Sequence, residues 1–448
     1  MLALTAALVG PYFVDWSSYR ASFEREASRV LGRKVTVEGP VAVRLLPFPS
    51  VSFSDIRVGA ADRVPAMTVK TFSMDAEIAP LLSGQVLIYD MRIEDPHMVL
   101  TVDADGAVDW AIRPSTPFDP RQITLEKVTL QGGEVDIVDK AAGKRHKVTG
   151  INATLSASTL AGPWHMEGEA ALDGERAQIS ASTNEVKPDE PLRLHARMAP
   201  EGMAAVFETD GDLAAPAGKV QYIGSFDVRS SDLVPPVGEA AQAGSARTGP
   251  DGSDREQPLL SKVRVSGRFK AEHAGIAVTA FRMEQGPASD PYVINGSGTL
   301  NFGADPQFSL TANGQQILIG QAQSQNDEPD KPNSAARAGS LLASRLSFFK
   351  SLLASIPAPS IPGTVHLKLP AIIAGGTTIR DIAVDAEPMH GTWSIARFSA
   401  GLPGRTQVEA SGTLAVNPSL AFNGRLLVAS RQPSGLSTWL TGGVDESV

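Results

Sequence analysis

The sequence predicts a mainly β protein: an elongated, curved antiparallel β-sheet groove of degenerate hairpin repeats, with an N-terminal amphipathic helix and one further amphipathic helix. Glycine and proline number 41 and 32, while aromatic residues make up only 6% of the chain, which suits strands and turns better than helical bundles. Turns at 39–40 and 47–49 interrupt an alternation of apolar and polar residues. The apolar positions of this alternation are Val35, Val37, Val41, Val43 and Leu45.

Length, charge and cysteine content limit the classes of function. With 448 residues, the chain is long enough for two or three globular domains or for one long β-architecture. A net charge of -9 without a basic patch makes nucleic acid an unexpected partner. Because the sequence has no cysteine, it has neither disulfides nor thiolate metal sites. We expect no cofactor.

The first fourteen residues, MLALTAALVGPYFV, are apolar and carry no charged side chain. They are too few to cross a hydrocarbon core, which needs about 20 helical residues. The basic region that opens a signal peptide is missing. We therefore expect residues 1–14 to be part of a membrane anchor that begins upstream of Met1, with a buried apolar segment as the alternative.

An amphipathic helix is predicted from Asp15, a residue type that commonly precedes a helix, to Gly32, which would end it. Its apolar stripe is formed by Trp16, Tyr19, Phe23, Ala27 and Val30. We expect this helix to close the end of the β core. In the alternative, it lies on a membrane surface with Trp16 and Tyr19 at the interface.

The strands that follow are predicted to have one apolar face. In QVLIYDMRIED the alternation places Leu87, Tyr89, Met91 and Ile93 on one side. Such a face must be covered by another layer, by a helix or by something that is not protein. The candidates for lining a groove are Val35, Val37, Val43, Phe72, Met74, Ile78, Leu87, Tyr89, Met91, Ile93, Met98 and Leu100.

After residue 110, a glycine followed by an alternating strand recurs at irregular intervals, with the best internal match between 298–314 and 412–424. Repeated hairpins of this kind extend a sheet along one axis. The predicted organisation is a partial membrane anchor at 1–14, a helix and sheet module at 15–115, β-repeat regions at 116–234 and 259–323, flexible insertions at 235–258 and 324–340, an amphipathic helix at 341–357, a β-module at 363–430, and a tail at 431–448 with a short helix at 436–440.

Spaced motifs occur in a fixed order near both ends. LGR, V-x-G-x-V, P-x-P, SDIRV, PLLSG and D-x-D-G-x-x-D-W follow one another within residues 31–110, and this order resembles the N-terminal signature of the AsmA family. IRDI, W-x-I, LPGRT and SGTL follow one another after residue 363 and resemble the AsmA C-terminal-like module. The motif positions are Gly32, Arg33, Pro47, Pro49, Leu81, Leu82, Gly106, Trp110, Arg380, Asp381, Trp393, Pro403 and Gly404.

Residues that would carry catalysis are not found in a recognisable arrangement. The seven histidines form no H-E-x-x-H motif, so no metal site is predicted. The stretch 211–219 lacks the spacing of a phosphate-binding loop. Asp103, Asp105 and Gly106 match only part of a calcium loop, and Asp105-Gly106 is better explained as a hairpin turn between Val102 and Val108. We do not expect an enzyme.

Three hypotheses remain. The AsmA resemblance places the chain in the broad group of TamB and the bridge-like lipid transfer proteins. It implies an inner-membrane-anchored, periplasm-facing groove whose apolar concave face holds phospholipid or another acyl lipid and supports outer-membrane biogenesis and lipid homeostasis. The second hypothesis is an assembly factor that engages outer-membrane or periplasmic proteins through exposed strand edges, without lipid transport. The third, an enzyme or a sugar-binding β protein, has no supporting residues.

Overall fold

The structure is a computed structural model that describes residues 17–44, 49–59, 65–77, 86–109, 121, 123–140, 142–187, 190–230, 263–285, 291–315, 317–319, 359, 361–374, 377–389, 391–415 and 421–441. The predicted anchor at 1–14, the insertions at 235–258 and 324–340 and the helix at 341–357 lie outside these residues. The chain divides into two compact units, Met1–Arg247 with Lys270–Ala274, and Thr248–Phe269 with Gly275–Val448.

In the part described, the first unit contains one α-helix and fourteen strands. They are α1 (Ser17–Leu31), β1 (Val35–Val37), β2 (Val41–Arg44), β3 (Ser50–Val58), β4 (Met67–Ala76), β5 (Val86–Glu94), β6 (His97–Val102), β7 (Val108–Asp109), β8 (Ile123–Asp139), β9 (Lys144–Ala157), β10 (Trp164–Leu172), β11 (Glu175–Thr183), β12 (Leu192–Pro200), β13 (Ala205–Ala214) and β14 (Gln221–Ser230). A single-turn 3-10 helix at Pro216–Gly218 precedes β14.

Strand β15 (Val263–Glu272) belongs to the second unit as far as Phe269. The other elements described in this unit are β16 (Gly275–Gln285), β17 (Tyr292–Asn301), β18 (Phe308–Gly314), β19 (Ile317–Ile319), β20 (Gly363–Ala374), β21 (Thr377–Met389), β22 (Thr392–Leu402), β23 (Thr406–Ala415), β24 (Ala421–Ser430) and α2 (Pro433–Thr441). The mainly β fold class is confirmed, and α2 confirms the short helix expected in the tail. The curvature and the groove stay predictions.

Each unit has a mixed sheet, which corrects the prediction of a wholly antiparallel one. In the first unit the seventeen-residue β8 runs parallel to β5 and then to β6, pairing Ile88 with Leu125 and Leu100 with Ile137. In the second unit β20 likewise runs parallel to β18 and then to β19. The sequence could not show this, because alternation reveals which face a side chain occupies and not the direction of the neighbouring strand.

Strand register aligns apolar residues in a continuous row across ten strands of the first unit, from β3 to β14. The row is Phe53, Phe72, Ile93, Leu130, Ala153, Gly168, Ile179, Met198, Phe207 and Val228, each paired with the next. One position away runs a polar row: Ser52, Ser73, Arg92, Thr129, Thr154, Glu167, Ser180, Arg197, Glu208 and Asp227. Because successive side chains point to opposite sides of a strand, this sheet has an apolar face and a polar face.

The second unit repeats the pattern across eight strands. Its apolar row is Phe281, Gly296, Ala312, Leu367, Val384, Phe398, Ala410 and Leu426. The adjacent row is mostly polar and consists of Arg282, Asn295, Asn313, Lys368, Ala383, Ser399, Glu409 and Leu427. The degenerate repeat in the sequence is therefore the trace of one two-sided sheet in each unit.

Helix α1 packs on the apolar face of the first unit at the β1 to β4 end. The ring of Phe23 stacks on Phe53 with 3.6 Å between their centroids. The helix also meets the edge of β1, where the backbone N–H of Val35 donates to Ser28 Oγ and that of Val37 donates to Glu24 Oε1, each at 2.8 Å. The helix thus covers apolar surface and satisfies donors that an edge strand would expose.

Helix α2 occupies the corresponding side of the second unit. Its Trp439 packs against a buried cluster on β20, β21 and β22, formed by Leu369, Ile379, Ile382 and Ala400. Tyr292 contacts the same cluster, and its burial raises the pKa of the phenol to about 12. In both units, the helix that the structure describes therefore covers part of the apolar face.

The Phe23 contact predicts the stability of the helix and sheet module. We expect Phe23→Ala to lower the free energy of unfolding by about 3 kcal/mol, because the substitution removes the ring that stacks on buried Phe53. Thermal or denaturant unfolding measures the change. Phe422→Ala is the matched control, since that ring is 42% exposed, and it should cost less than about 1 kcal/mol. Equal losses in the two variants would contradict the assigned role of α1.

Candidate functional site

The apolar face of the first unit changes from covered to accessible along its length. Under α1, Phe53 and Val58 are only 3% and 1% exposed. Farther along the row Ile179, Phe207 and Val228 are only partly buried, and Met198 is 40% exposed. Among the described residues of this unit, no α-helix packs on the part of the row from β11 to β14. An accessible apolar surface of this extent is a candidate binding site.

A second cluster extends the covered part of the face. Ile88, Leu125, Val128 and Ala157 are buried together at the centre of the sheet. Met74, Met91, Ile93, Leu155 and Trp164 pack around them. Ile93 also contacts the cluster beneath α1, so the apolar surface runs without interruption from the helix to β10.

The groove assignment of Leu87 and Tyr89 is wrong, because a β-bulge changes the facing of β5 between Met91 and Ile88. Asp75 pairs with Asp90, yet Ala76 pairs with Ile88, so β5 contains one extra residue. Ile88 therefore joins the apolar face, and Leu87 beside it faces the polar side. The Tyr89 hydroxyl lies 3.5 Å from the Asp75 carboxylate on that polar side.

Val35 and Val37 also leave the groove candidates, since they are only 3% and 2% exposed beneath α1. Buried valines belong to the protein core and are not accessible to a ligand. The predicted positions that do lie on the apolar face are Val43, Phe72, Met74, Met91, Ile93, Met98 and Leu100, all partly buried. Ile78 and Trp16 lie outside the described residues, as does the side chain of Tyr19.

Sequence reasoning missed the more accessible half of the face. Leu130, Ile179, Met198, Phe207 and Val228 continue the row through β8, β11, β12, β13 and β14. The signal was present, because these strands alternate as regularly as β4 and β5 do. Alternation within a strand does not give the register, which determines which residues of neighbouring strands lie side by side.

Ion pairs link neighbouring strands on the polar face. Arg193 lies 2.5 Å from Asp210, whose carboxylate raises the pKa of the guanidinium. Glu208 lies 3.9 Å from Arg197 and 3.5 Å from Arg229. Such exposed pairs add little stability, and they offset part of the charge on β12 to β14.

A depression of about 910 Å³ lies on the polar face and not on the apolar one. Its lining includes residues of the polar row, namely Thr129, Thr154, Glu167, Ser180 and Arg197. This depression is therefore not the concave apolar surface that the sequence predicts. A twisted sheet presents saddle-shaped faces, so a hollow on one side does not require a bulge along the whole of the other.

The histidines and carboxylates of the described residues form pairs and not metal-binding clusters. No three His, Asp or Glu side chains there converge on a point where a metal ion could bind. His97, His146 and His366 each lie 2.7 to 2.8 Å from a single aspartate, namely Asp136, Asp173 and Asp385. These are isolated cross-strand pairs. The His146 hydrogen bond lowers the pKa of Asp173.

The N-terminal sequence motifs meet in space. Arg33 of the LGR motif lies 2.5 Å from Asp109 of the D-x-D-G-x-x-D-W motif, 76 residues away. Gly39 donates its backbone N–H to Ser54 of the SDIRV motif at 3.1 Å. Gly106 occupies the turn between β6 and β7, where Val102 pairs with Val108 as predicted. These motif residues hold the module together and do not line the accessible part of the apolar face.

Comparison with protein-family models matches residues 1–193 to the AsmA family. The matched stretch is less than half of the 448-residue chain. It includes α1 and strands β1 to β11, where the N-terminal motifs converge. Pro47, Leu81, Leu82 and Trp110 lie outside the described residues. No match was found among curated proteins or among solved structures.

The match to the AsmA family is consistent with a role in the cell envelope that is related to lipid. No helix within the described ranges has the length and apolar character needed to cross a membrane. The resemblance of the C-terminal part to the AsmA C-terminal-like module stays a prediction.

The LPGRT motif, residues 402–406, connects α2 to the sheet. The Gly404 carbonyl accepts from the N–H of Gln432 at 2.9 Å, and buried Thr406 donates to Ser430 at 2.9 Å. Gly404 has φ +74°, and a Cβ there would lie 2.3 Å from the Gln432 oxygen. Trp393 is likewise structural, because it is 8% exposed and packs with Ala386.

Substitutions at Gly404 and Gly391 separate the effect of the close contact at Gly404 from the effect of positive φ alone. Gly391 also has positive φ, at +80°, but a Cβ there would meet nothing within 4 Å. We expect Gly391→Ala to lower the free energy of unfolding by about 1 kcal/mol through backbone strain alone. Gly404→Ala should cost more and should increase hydrogen exchange in 433–441, measured by mass spectrometry. Equal effects at both positions would show that α2 does not depend on this contact.

Proposed function

We propose that this protein, which matches the AsmA family over residues 1–193, binds phospholipid, or another acyl lipid, on the apolar face of its first unit and conducts it between membranes, in support of outer-membrane biogenesis and lipid homeostasis. The observation that carries the proposal is the apolar row, which continues through ten strands and is accessible beyond α1. Specificity would come from side-chain size along the row. The proposed role requires no catalytic residue, metal or cofactor.

The row addresses the main cost of moving a lipid through water. Each methylene of an acyl chain that leaves a bilayer costs about 0.8 kcal/mol of hydrophobic free energy. Strands are spaced about 4.8 Å apart, so nine strand spacings extend the row for about 43 Å. One leaflet of the hydrocarbon core is about 15 Å thick, which corresponds to roughly three spacings. An acyl chain lying along the row would keep apolar contact wherever it moved.

The proposed location is the inner membrane, with the sheets facing the periplasm. The apolar sequence of residues 1–14 precedes α1 directly, and α1 packs at one end of the apolar face. A lipid leaving the membrane beside such an anchor would reach the apolar row after passing the helix. Envelope proteins remain proposed partners that would extend the path.

The two-faced sheet supplies a sharp test. We expect protein purified in mild detergent to contain bound phospholipid, detected by mass spectrometry. Met198→Asp should remove most of it, because a charge at an accessible position of the apolar row opposes acyl-chain contact. Arg197→Asp in the same strand should retain the lipid, since its side chain lies on the polar face. Leu87→Asp should also retain it.

Absence of lipid from the unmodified protein, or equal loss in the Met198 and Arg197 variants, would contradict the proposal. Circular dichroism and thermal unfolding would confirm that all three variants fold. Met198 suits this test because it is 40% exposed, so that a carboxylate there remains hydrated and the core beneath α1 is untouched.

Strand β24 favours a second candidate function, that of an assembly factor for outer-membrane proteins. Among the described strands it pairs only with β23. Leu426, Leu427 and Val428 are 64%, 60% and 49% exposed, and nine of its ten residues are exposed. A strand of a partner protein could add to such an edge through backbone hydrogen bonds.

The alternative is distinguished by substitutions at the edge. Leu426→Lys with Leu427→Lys would discourage strand addition while leaving the apolar face of the first unit unchanged. If this variant lost outer-membrane protein assembly in cells and the protein never contained lipid, assembly would replace lipid transport as the function. Retained assembly would exclude the edge from that role.

A further inference from the structure

The arginines of the C-terminal strands form a group without acidic partners. Arg380, Arg397, Arg405, Arg425 and Arg431 are the five arginines in 363–441, and no described side chain forms a hydrogen bond or ion pair with their guanidinium groups. Four arginines on strands of the first unit, Arg92, Arg193, Arg197 and Arg229, each have a carboxylate partner. These four provide a paired set with which the C-terminal arginines can be compared.

Four of the unpaired arginines line two adjoining depressions. Arg380 and Arg405 line one of about 770 Å³, and Arg397 and Arg425 line one of about 580 Å³. Ser399 and Gln407 line both depressions. All four arginine side chains are exposed, so an external group could reach them.

Acidic residues near these depressions do not neutralise the arginines. Asp381 lines the first depression and Glu409 the second, which leaves two positive charges in excess of the negative ones. Asp385 pairs in register with Arg397, but its carboxylate contacts His366 at 2.8 Å instead. The hydroxyl of Ser399 and the amide of Gln407 add neutral hydrogen-bonding groups.

We propose that the polar face of β21 to β24 binds the phosphodiester groups of anionic phospholipids at a bilayer surface. Guanidinium groups without an acidic partner match the geometry and charge of phosphate oxygens. A cluster of basic side chains gains affinity for an anionic membrane with each residue. The net charge of -9 opposes such binding, so the attraction must be local to this face. This membrane contact does not depend on acyl-chain binding by the first unit.

Vesicle binding by the full chain tests the proposal. The probes are vesicles of phosphatidylcholine alone and vesicles with 30% phosphatidylglycerol, compared by co-sedimentation at low and high salt. Residues 1–14 carry no charged side chain, so insertion of this segment would contribute equally to binding of both vesicle types and cancels when they are compared. We expect at least tenfold stronger binding to the anionic vesicles at low salt, with most of the difference lost at high salt.

The decisive variant replaces Arg380, Arg397, Arg405 and Arg425 with glutamine, and its control replaces Arg92, Arg193, Arg197 and Arg229 with glutamine. Both sets remove four positive charges. The C-terminal set should reduce the preference for anionic vesicles at least tenfold, and the control set should reduce it less than twofold. Thermal unfolding checks both proteins, and the pairs Arg380→Gln with Arg405→Gln and Arg397→Gln with Arg425→Gln serve if either set of four fails to fold.

Three results would overturn the proposal. They are no preference for anionic vesicles in the unmodified protein, equal losses in the two sets, and displacement from vesicles by 10 mM inorganic phosphate, which would indicate a site for a free anion. If the C-terminal set lost vesicle binding but still contained lipid after purification, the proposed acyl-chain binding would stand without the membrane contact. If the Met198 variant lost its bound lipid but still bound vesicles, the membrane contact would stand without acyl-chain binding. The two proposals are thus separable.

Discussion

The structure depends on one constraint, the fixed register between neighbouring strands. Alternation within a strand gives each strand an apolar side, but only register places Phe53, Phe72 and Ile93 in line with Met198 and Val228. A shift of one residue in any strand would insert a polar side chain such as Arg197 into the apolar row. The bulge in β5 is such a one-residue shift, and it brings Ile88 rather than Leu87 to the apolar side.

Both described helices follow from the same constraint. A two-faced sheet must cover its apolar side or leave it for a ligand, and α1 and α2 each cover a limited part. Much of the motif sequence holds these helices in place, as Gly404 does for α2. The proposed acyl-chain binding would use the remaining apolar surface of the first unit, and the proposed headgroup contact would use the unpaired arginines of β21 to β24.

The sequence predicts the fold class, α1 and the hairpin at Asp105-Gly106, because each depends on local periodicity or turn chemistry. It fails where the outcome depends on distant strands. The direction of β8 relative to β5 is one example, and the facing of Leu87 and Tyr89 across the bulge is another. The burial of Val35 is a third, since alternation cannot show that α1 covers it. The sequence also could not show which arginines lack an acidic partner, because pairing depends on which side chains lie close together in the fold.

Photo-crosslinking tests the central claim, that acyl chains occupy the apolar face, most directly. A photoreactive amino acid would replace Ile179, Met198 or Phe207 in the apolar row, and Ser180, Arg197 or Glu208 in the polar row, one at a time. After irradiation in cells, mass spectrometry would measure lipid adducts. The account predicts adducts at the three apolar positions and few at their polar neighbours. Equal labelling of both rows, or no lipid adduct at any apolar position, would contradict it.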